Sequence, residues 1–154
     1  MTTHLTSHSK KVLHGNYVLL TADTLHLLVP QYDVGEAEYL EGTQEAGDEY
    51  GLLKFQGTKN TRRYAALSAQ MTMLPNNPPD RFLATTIGED NMDISWSWNE
   101  LRILINVEFK LMTIPKILLT PNSPVDQYVE FDNRLAYLCS AKQISKFAFE
   151  QRIG

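Results

Sequence analysis

The chain has 154 residues, 43% hydrophobic and 21% charged, which suits one domain with a sizeable core and excludes a wholly disordered chain. Its formal net charge of -4 argues against nucleic acid as a general partner, because phosphate binding needs a surplus of cations on one face. A single cysteine, Cys139, excludes an internal disulfide and every multi-cysteine metal motif, and it fits a reducing cytoplasm.

Residues 1–15 are polar and aperiodic. Lys10 and Lys11 have no apolar stretch behind them, so this segment reads as a flexible arm and not as a signal peptide. No apolar run approaches the roughly 20 residues of a spanning helix, so no direct membrane insertion is expected. Order is expected from near Asn16. Tyr17–Leu20 and Leu25–Val29 flank a short polar stretch and predict a β-hairpin that Pro30 stops. Asp33–Glu49 is acidic and contains glycines, and it reads as a solvated connection with a short strand around Val34. Leu52, Leu53 and Phe55 predict a strand, 57–60 a turn, and Tyr64–Leu67 the return strand. Lys54, Lys59, Arg62 and Arg63 crowd this second hairpin. Water satisfies them at a hairpin tip, and the alternative is a basic patch for a partner.

Ser68–Leu74 predicts a short helix, ended by the break Pro75–Pro79. Arg81–Ile87 and Met92–Trp98 predict a third hairpin about Gly88–Asn91. Within it Ile94, Trp96 and Trp98 alternate with two serines, the pattern of a half-buried strand. The tryptophans read as core, with an exposed aromatic platform as the alternative. Leu101–Leu111 fits either a strand or a helix, and its β-branched centre favours the strand. Thr113–Pro124 is extended, with three prolines. Tyr128–Phe131, a turn at Asp132-Asn133 and Leu135–Cys139 predict a last hairpin. Ser140 with Gln143 then forms a capping-box pattern that opens a C-terminal helix, with Ile144, Phe147 and Ala148 on one face.

Catalytic and metal chemistry finds little support. His4, His8 and His14 lie in the arm and His26 in a strand, a spacing that builds no metal site. Cys139 sits in the apolar run LAYLCS and reads as core. Asp23, Asp33, Glu36, Glu38 and Glu41 form an acidic run that reads as solvated surface, not as an acid–base pair. Glycine-rich phosphate loops, G-x-S-x-G and H-E-x-x-H are missing from the sequence. A non-enzyme with no cofactor is expected.

RRYAALSAQMTML (62–74) and RLAYLCSAKQISKF (134–147) echo one another: arginine, apolar strand, Ser-Ala, short helix. Such repeating hairpins predict a mainly β protein of two small barrels. The order of segments resembles the CheW-like chemotaxis coupling domain over about residues 16–150. LHLLVPQYDVGEAEYL (25–40) looks like the family's proline-valine-acid phrase, with Pro30, Val34 and Glu36 in its places. LKFQG (53–57) and YAALSAQMTML (64–74) occupy the next strand pair, ISWSWNELRIL (94–104) matches loosely, and FDNRLAYLCSAKQISKF (131–147) matches the last hairpin and helix.

The resemblance implies one domain over 16–154 of two intertwined, five-stranded SH3-like barrels with short helices, including a C-terminal one. It implies a cytoplasmic, non-enzymatic adaptor that links receptors to a histidine kinase. The binding surface would lie near Val34, Glu36 and the strand carrying Phe55, Gln56 and Gly57. Gln56 stands where the family has arginine, and the turn after Gly57 is TKNTRR instead of an apolar, proline-bearing return. Glutamine lacks the charged planar fork of arginine, so another component of a chemosensory or pilus-linked array is an equal expectation. A small-ligand-binding β-barrel, and a nucleic-acid module using the 54–63 cations, are the alternatives.

Overall fold

The computed structural model describes residues 11–40, 44–45, 53–56, 61–88, 94–115 and 125–144, with the backbone alone for 44–45, 53–56, 61–63 and 94. The chain is mainly β. In order come β1 (Val12–Ala22), β2 (Leu25–Pro30), a 3-10 turn (Gln31–Asp33), β3 (Val34–Tyr39), β4 (Gln44–Glu45), β5 (Leu53–Gln56) and β6 (Thr61–Ala66). Then follow β7 (Leu83–Ile87), β8 (Ile94–Trp98), β9 (Glu100–Lys110), β10 (Met112–Thr113), β11 (Gln127–Phe131) and β12 (Arg134–Leu138). A helical turn covers 141–144.

Among the described residues the strands form two six-stranded sheets. One runs β10-β11-β12-β2-β1-β9 and the other β4-β5-β6-β8-β7-β3, and one of the two curls into a half-barrel. The two orders are the same pattern. In each, a three-strand antiparallel meander ends in a strand that pairs in parallel with its neighbour, β12 with β2 and β6 with β8. That neighbour belongs to an antiparallel hairpin, whose other strand pairs antiparallel with the edge strand, β9 or β3. In chain order the second sheet is β3 to β8 without a break. The first is β9 to β12, completed by β1 and β2 from the far end of the sequence. The repeated Arg-strand-Ser-Ala phrase falls on β6 and β12, which hold equivalent places. Each sheet has six strands where five are expected, because the two-residue stubs β4 and β10 extend the meanders.

The hairpin β1–β2 forms as expected and turns at Asp23, which adopts a left-handed φ of 59°. Its leucine-rich run is apolar on both faces. Val18, Leu20, Ala22, Leu27 and Val29 join Ala65, Leu67, Ile87, Trp96 and Trp98 in one core cluster that draws on both sheets. Leu19 and Leu28 face the other way, towards Leu104, Val129 and Ala136. A continuous apolar run is what a doubly covered strand requires.

Several expectations need correction. β1 begins at Val12, not near Asn16: residues 12–15 pair with Val107–Lys110 of β9, a long-range partner that local composition does not reveal. Residues 1–10 lie outside the described residues. Ser68–Leu74 is a tight loop, not a helix. The Ser68 hydroxyl accepts the amides of Gln70 and Thr72, Met71 takes a left-handed φ of 62°, and Leu67 bridges Met73. Serine competing for nearby amides is the usual reason such a stretch leaves the helix. In β8 the serines are buried along with the tryptophans, so the strand is covered on both faces and not half-buried. The strand reading of Leu101–Leu111 holds. So does the last hairpin, whose turn residues Asp132 and Asn133 have φ of 50° and 63°, the signature of a two-residue primed turn. The capping box forms too: the Ser140 amide donates to Gln143 Oε1 at 2.7 Å, and the Gln143 amide to Ser140 Oγ at 3.2 Å. Phe147 and Ala148 lie outside the described residues.

Candidate functional site

Val34 opens β3 and packs, half-buried, against the shared core. Glu36 is exposed on a bulge, where the register of β3 against β7 shifts between Val34 and Ala37. Gly35 leaves room there for the Thr86 side chain. A Cβ on it would fall 2.0 Å from Thr86 Oγ1, and the Thr85 hydroxyl donates to its carbonyl at 2.9 Å. β3 is an edge strand, so this bulged, acidic segment faces outward from the sheet. Phe55 and Gln56 lie on β5, in register with Arg62 and Thr61 of β6. Gly57 lies outside the described residues. Three strands, β7, β8 and β6, stand between β3 and β5, so the hydrogen-bonded ladder does not bring the two halves of the expected surface together.

The same register sets Lys54 opposite Arg63, within the β5–β6 ladder and not at its tip. Lys59 lies outside the described residues. Trp96 and Trp98 are buried in the shared core, which removes them as an exposed platform. The exposed aromatic pair is elsewhere. Tyr39 at the end of β3 stacks on Phe82, with ring centroids 6.5 Å apart and planes 8° from parallel. Neither residue belongs to an alternating pattern, and this is why the sequence does not announce the pair.

A cleft of about 420 Å³ opens where β1 and β2 part company. Its walls are His14, Gly15, Asn16, Tyr17, Pro30, Gln31 and Tyr32. Tyr17 and Pro30 are the last register pair of the hairpin. Beyond them β2 has ended and the 3-10 turn leads away, while β1 runs on along β9, which bulges at Ile105–Asn106 opposite Asn16. Asn16 Oδ1 holds that bulge by accepting the Asn106 amide at 2.7 Å, and Asn106 has a φ of 53°. Burial, and then the neighbouring Tyr32, push the Tyr17 phenol above its usual pKa. The cleft went unseen in the sequence because it lies where the β1–β2 pairing stops, a limit that local composition does not mark.

Three other titratable groups among the described residues are tied into the fold. Cys139 is buried and its thiol is pushed up to about 12, chiefly by burial and further by Asp33, so it supplies no thiolate at neutral pH. Asp33 accepts the Ala141 amide at 3.0 Å and so fastens the link after β2 to the C-terminal helical turn. Asp23 pairs with Arg81 at 2.9 Å. Among the described residues no group of three or more His, Cys, Asp and Glu side chains could hold a metal ion. No protein-family model and no curated protein matches the chain. Among the described residues no helix is long and apolar enough to cross a membrane.

Arg81 is the centre of a polar joint between the sheets. It leads into β7, its guanidinium is fully buried, and Nη2 reaches Asp23 on the β1–β2 turn. Its carbonyl accepts from Asn77 Nδ2 at 2.8 Å, and Asn77 Oδ1 accepts from the Ser97 hydroxyl at 2.7 Å. Asn99 adds a second tie, with its side chain accepting the Asp23 amide and donating to the Asp80 carbonyl. The joint fixes the hairpin of one sheet to the end of the other.

Proposed function

We propose that the protein is a cytoplasmic, non-enzymatic adaptor of the CheW-like type, built as two intertwined SH3-like barrels. Its partner would be a histidine kinase, a receptor or another component of a chemosensory or pilus-linked array. One observation supports this reading most: the two sheets repeat a single strand order, and the N-terminal hairpin completes the sheet made by the C-terminal strands. Intertwining of that kind gives two equivalent modules a rigid relation, which suits a scaffold. The bulged edge strand carrying Val34 and Glu36 offers an association surface, and strand edges and buried anchors are the usual sources of such affinity.

Affinity capture from the native cell tests the reading. The expected catch includes a receptor, a kinase or an array component. Recovery of metabolic enzymes alone defeats it. Glu36→Arg, at an exposed position, is expected to lower capture several-fold while leaving the melting temperature unchanged.

A further inference from the structure

We infer that the chain is two versions of one six-stranded unit, β1–β6 and β7–β12, and that the seams between them are a docking surface for the opposite unit of a second copy of the chain. Laid side by side, the two sheet orders set each of β1–β6 in the place of the corresponding strand of β7–β12. Among the described residues, the ladders inside a unit are those of its hairpin, β1–β2 or β7–β8, and of its meander, β4–β5–β6 or β10–β11–β12. The remaining ladders, β1–β9, β2–β12, β3–β7 and β6–β8, all join one unit to the other. Neither unit completes a sheet alone, because each lends its hairpin to the other's meander.

The side chains keep the same equivalence and also tell the units apart. Counting on from Arg62 and Arg134, or back from Ser68 and Ser140, sets Ala65 in the place of Tyr137. Ala65 stands opposite Trp96 across one parallel ladder, and Tyr137 opposite Leu27 across the other. All four lie in or against the shared core. The next row repeats the correspondence: Ala66, Ser97 and Ala84 hold the places of Leu138, Leu28 and Leu19. A unit that met its own kind would set Leu27 against Ala65, which leaves a hole, or Trp96 against Tyr137, which overfills the position. The seams therefore select the opposite unit, and a second copy of the chain offers the same one.

A single connection, residues 67–82, joins the units. Its hydrogen bonds divide into two sets. On one side Leu74 donates to the Ala66 carbonyl and Thr72 to the Ser68 hydroxyl, both within the first unit. On the other, Asn77 bonds Arg81 and Ser97 of the second unit, while Arg81 and Phe82 cross the seam to Asp23 and Leu40. Pro75 and Asn76 lie between, a hinge whose opening breaks none of these bonds. Pro75 fixes its own φ and biases Leu74 towards extended backbone. A short, stiff hinge between units that complete each other is the setting for exchange between molecules. Closure within one chain is intramolecular and prevails in dilute solution, and exchange gains with concentration. The inference stands on topology and does not depend on the adaptor reading.

The test uses two differently tagged versions of the full chain, unfolded in urea, mixed and refolded together over a range of concentrations. At high concentration a dimer carrying both tags is expected, read by size-exclusion chromatography with light scattering. Its amide NMR spectrum should depart from that of the monomer only near residues 74–77. A Gly-Ser-Gly insertion after Pro75 should lower the dimer fraction several-fold, since a longer hinge eases closure within one chain. In the monomer, Ala65→Tyr and Trp96→Leu should each lower the melting temperature. The double variant, which copies the Tyr137–Leu27 seam, should recover most of the loss. Failure to obtain a mixed dimer at any concentration overturns the docking surface. So does a dimer fraction that the insertion leaves unchanged, or a mixed dimer that forms as readily from folded chains. Simple additivity of the two substitutions overturns the equivalence of the units.

Discussion

The two hairpins β1–β2 and β7–β8 hold the same place in their sheets, yet they are closed by different means. β1–β2 buries hydrocarbon on both faces, with Leu20 and Val29 in the shared core and Leu19 and Leu28 in the opposite cluster. β7–β8 has its tryptophans in the shared core, but its other face is mixed: Ala84 joins Leu40, Tyr64 and Ala66 in a small apolar cluster, and Ser95 and Ser97 are buried on the same face. There the Ser97 hydroxyl donates a hydrogen bond to Asn77 Oδ1, and the proline-rich loop lies against the strand as a hydrogen-bonded cover. One strand order therefore tolerates two kinds of seal. A hydrocarbon seal needs only area, whereas a mixed one loses stability for each buried polar group left unpaired, and here Trp98 Nε1 and Arg81 Nε and Nη1 are buried with no hydrogen-bond partner among the described residues.

The comparison is broken most directly by cavity-forming variants. Trp98→Ala is expected to cost ~3–5 kcal/mol and Leu28→Ala ~2–5 kcal/mol in urea unfolding, because both side chains are fully buried. Equal losses of cooperativity would mark the hairpins as equivalent structural units. A much smaller loss for Trp98→Ala would show that the shared core closes around the missing ring on that side. Next comes the joint between them. Asp23→Asn leaves the buried Arg81 guanidinium without its carboxylate, at a cost of about 2 kcal/mol, less than for a wholly buried pair because the Asp23 side chain is 42% exposed. Arg81→Met, which removes the charge along with the need for a partner, should cost less than Asp23→Asn. The reverse order would mean that Arg81 acts through packing and not through its charge. Smaller again is the bulge of β3. Gly35→Ala drives a methyl into the Thr86 hydroxyl and should cost ~1–3 kcal/mol, most of it recovered in the double variant Gly35→Ala, Thr86→Ala. A cost that persists in the double variant would place the strain in the backbone of β3.

The hydrocarbon seal was legible in the sequence and the polar one was not. Leucine runs broken by Asp23-Thr24, the alternation in ISWSW and the Asp132-Asn133 turn each declare a strand or hairpin through local chemistry, and all of them form. Residues whose role depends on a distant partner stayed silent. Val12–Gly15 looks like a polar arm until β9 pairs with it. Ser97 looks like the wet side of a strand until Asn77 covers it. The same holds for function. β3 and β5 are each found where the sequence sets them, but their separation by three strands is a property of the topology alone. Tyr32 comes to line a cleft only beside Tyr17, where the β1–β2 pairing has ended.

The smallest expected effect sharpens the comparison from the hydrocarbon side. Near the turn of β1–β2 the Thr21 hydroxyl and His26 Nδ1 lie 3.0 Å apart, in cross-strand register. Burial lowers the His26 pKa, Arg134 lowers it further, and Glu100 opposes them. A depressed histidine pKa means that the native state prefers the neutral ring. The stability this preference supplies is complete above the unfolded-state value of about 6.5, and it is lost as the pH falls through the lower folded-state value. The melting temperature of the wild type should therefore drop relative to His26→Gln as the pH is taken from about 8 to about 5. Removing the opposing carboxylate with Glu100→Gln should carry the loss to lower pH, since the folded-state pKa falls further once that carboxylate is gone. A constant gap between wild type and His26→Gln over the whole range would mean that the ring titrates as it does in the unfolded chain. The turn of the hydrocarbon-sealed hairpin would then be open to water, and the contrast between the two seals would end short of it.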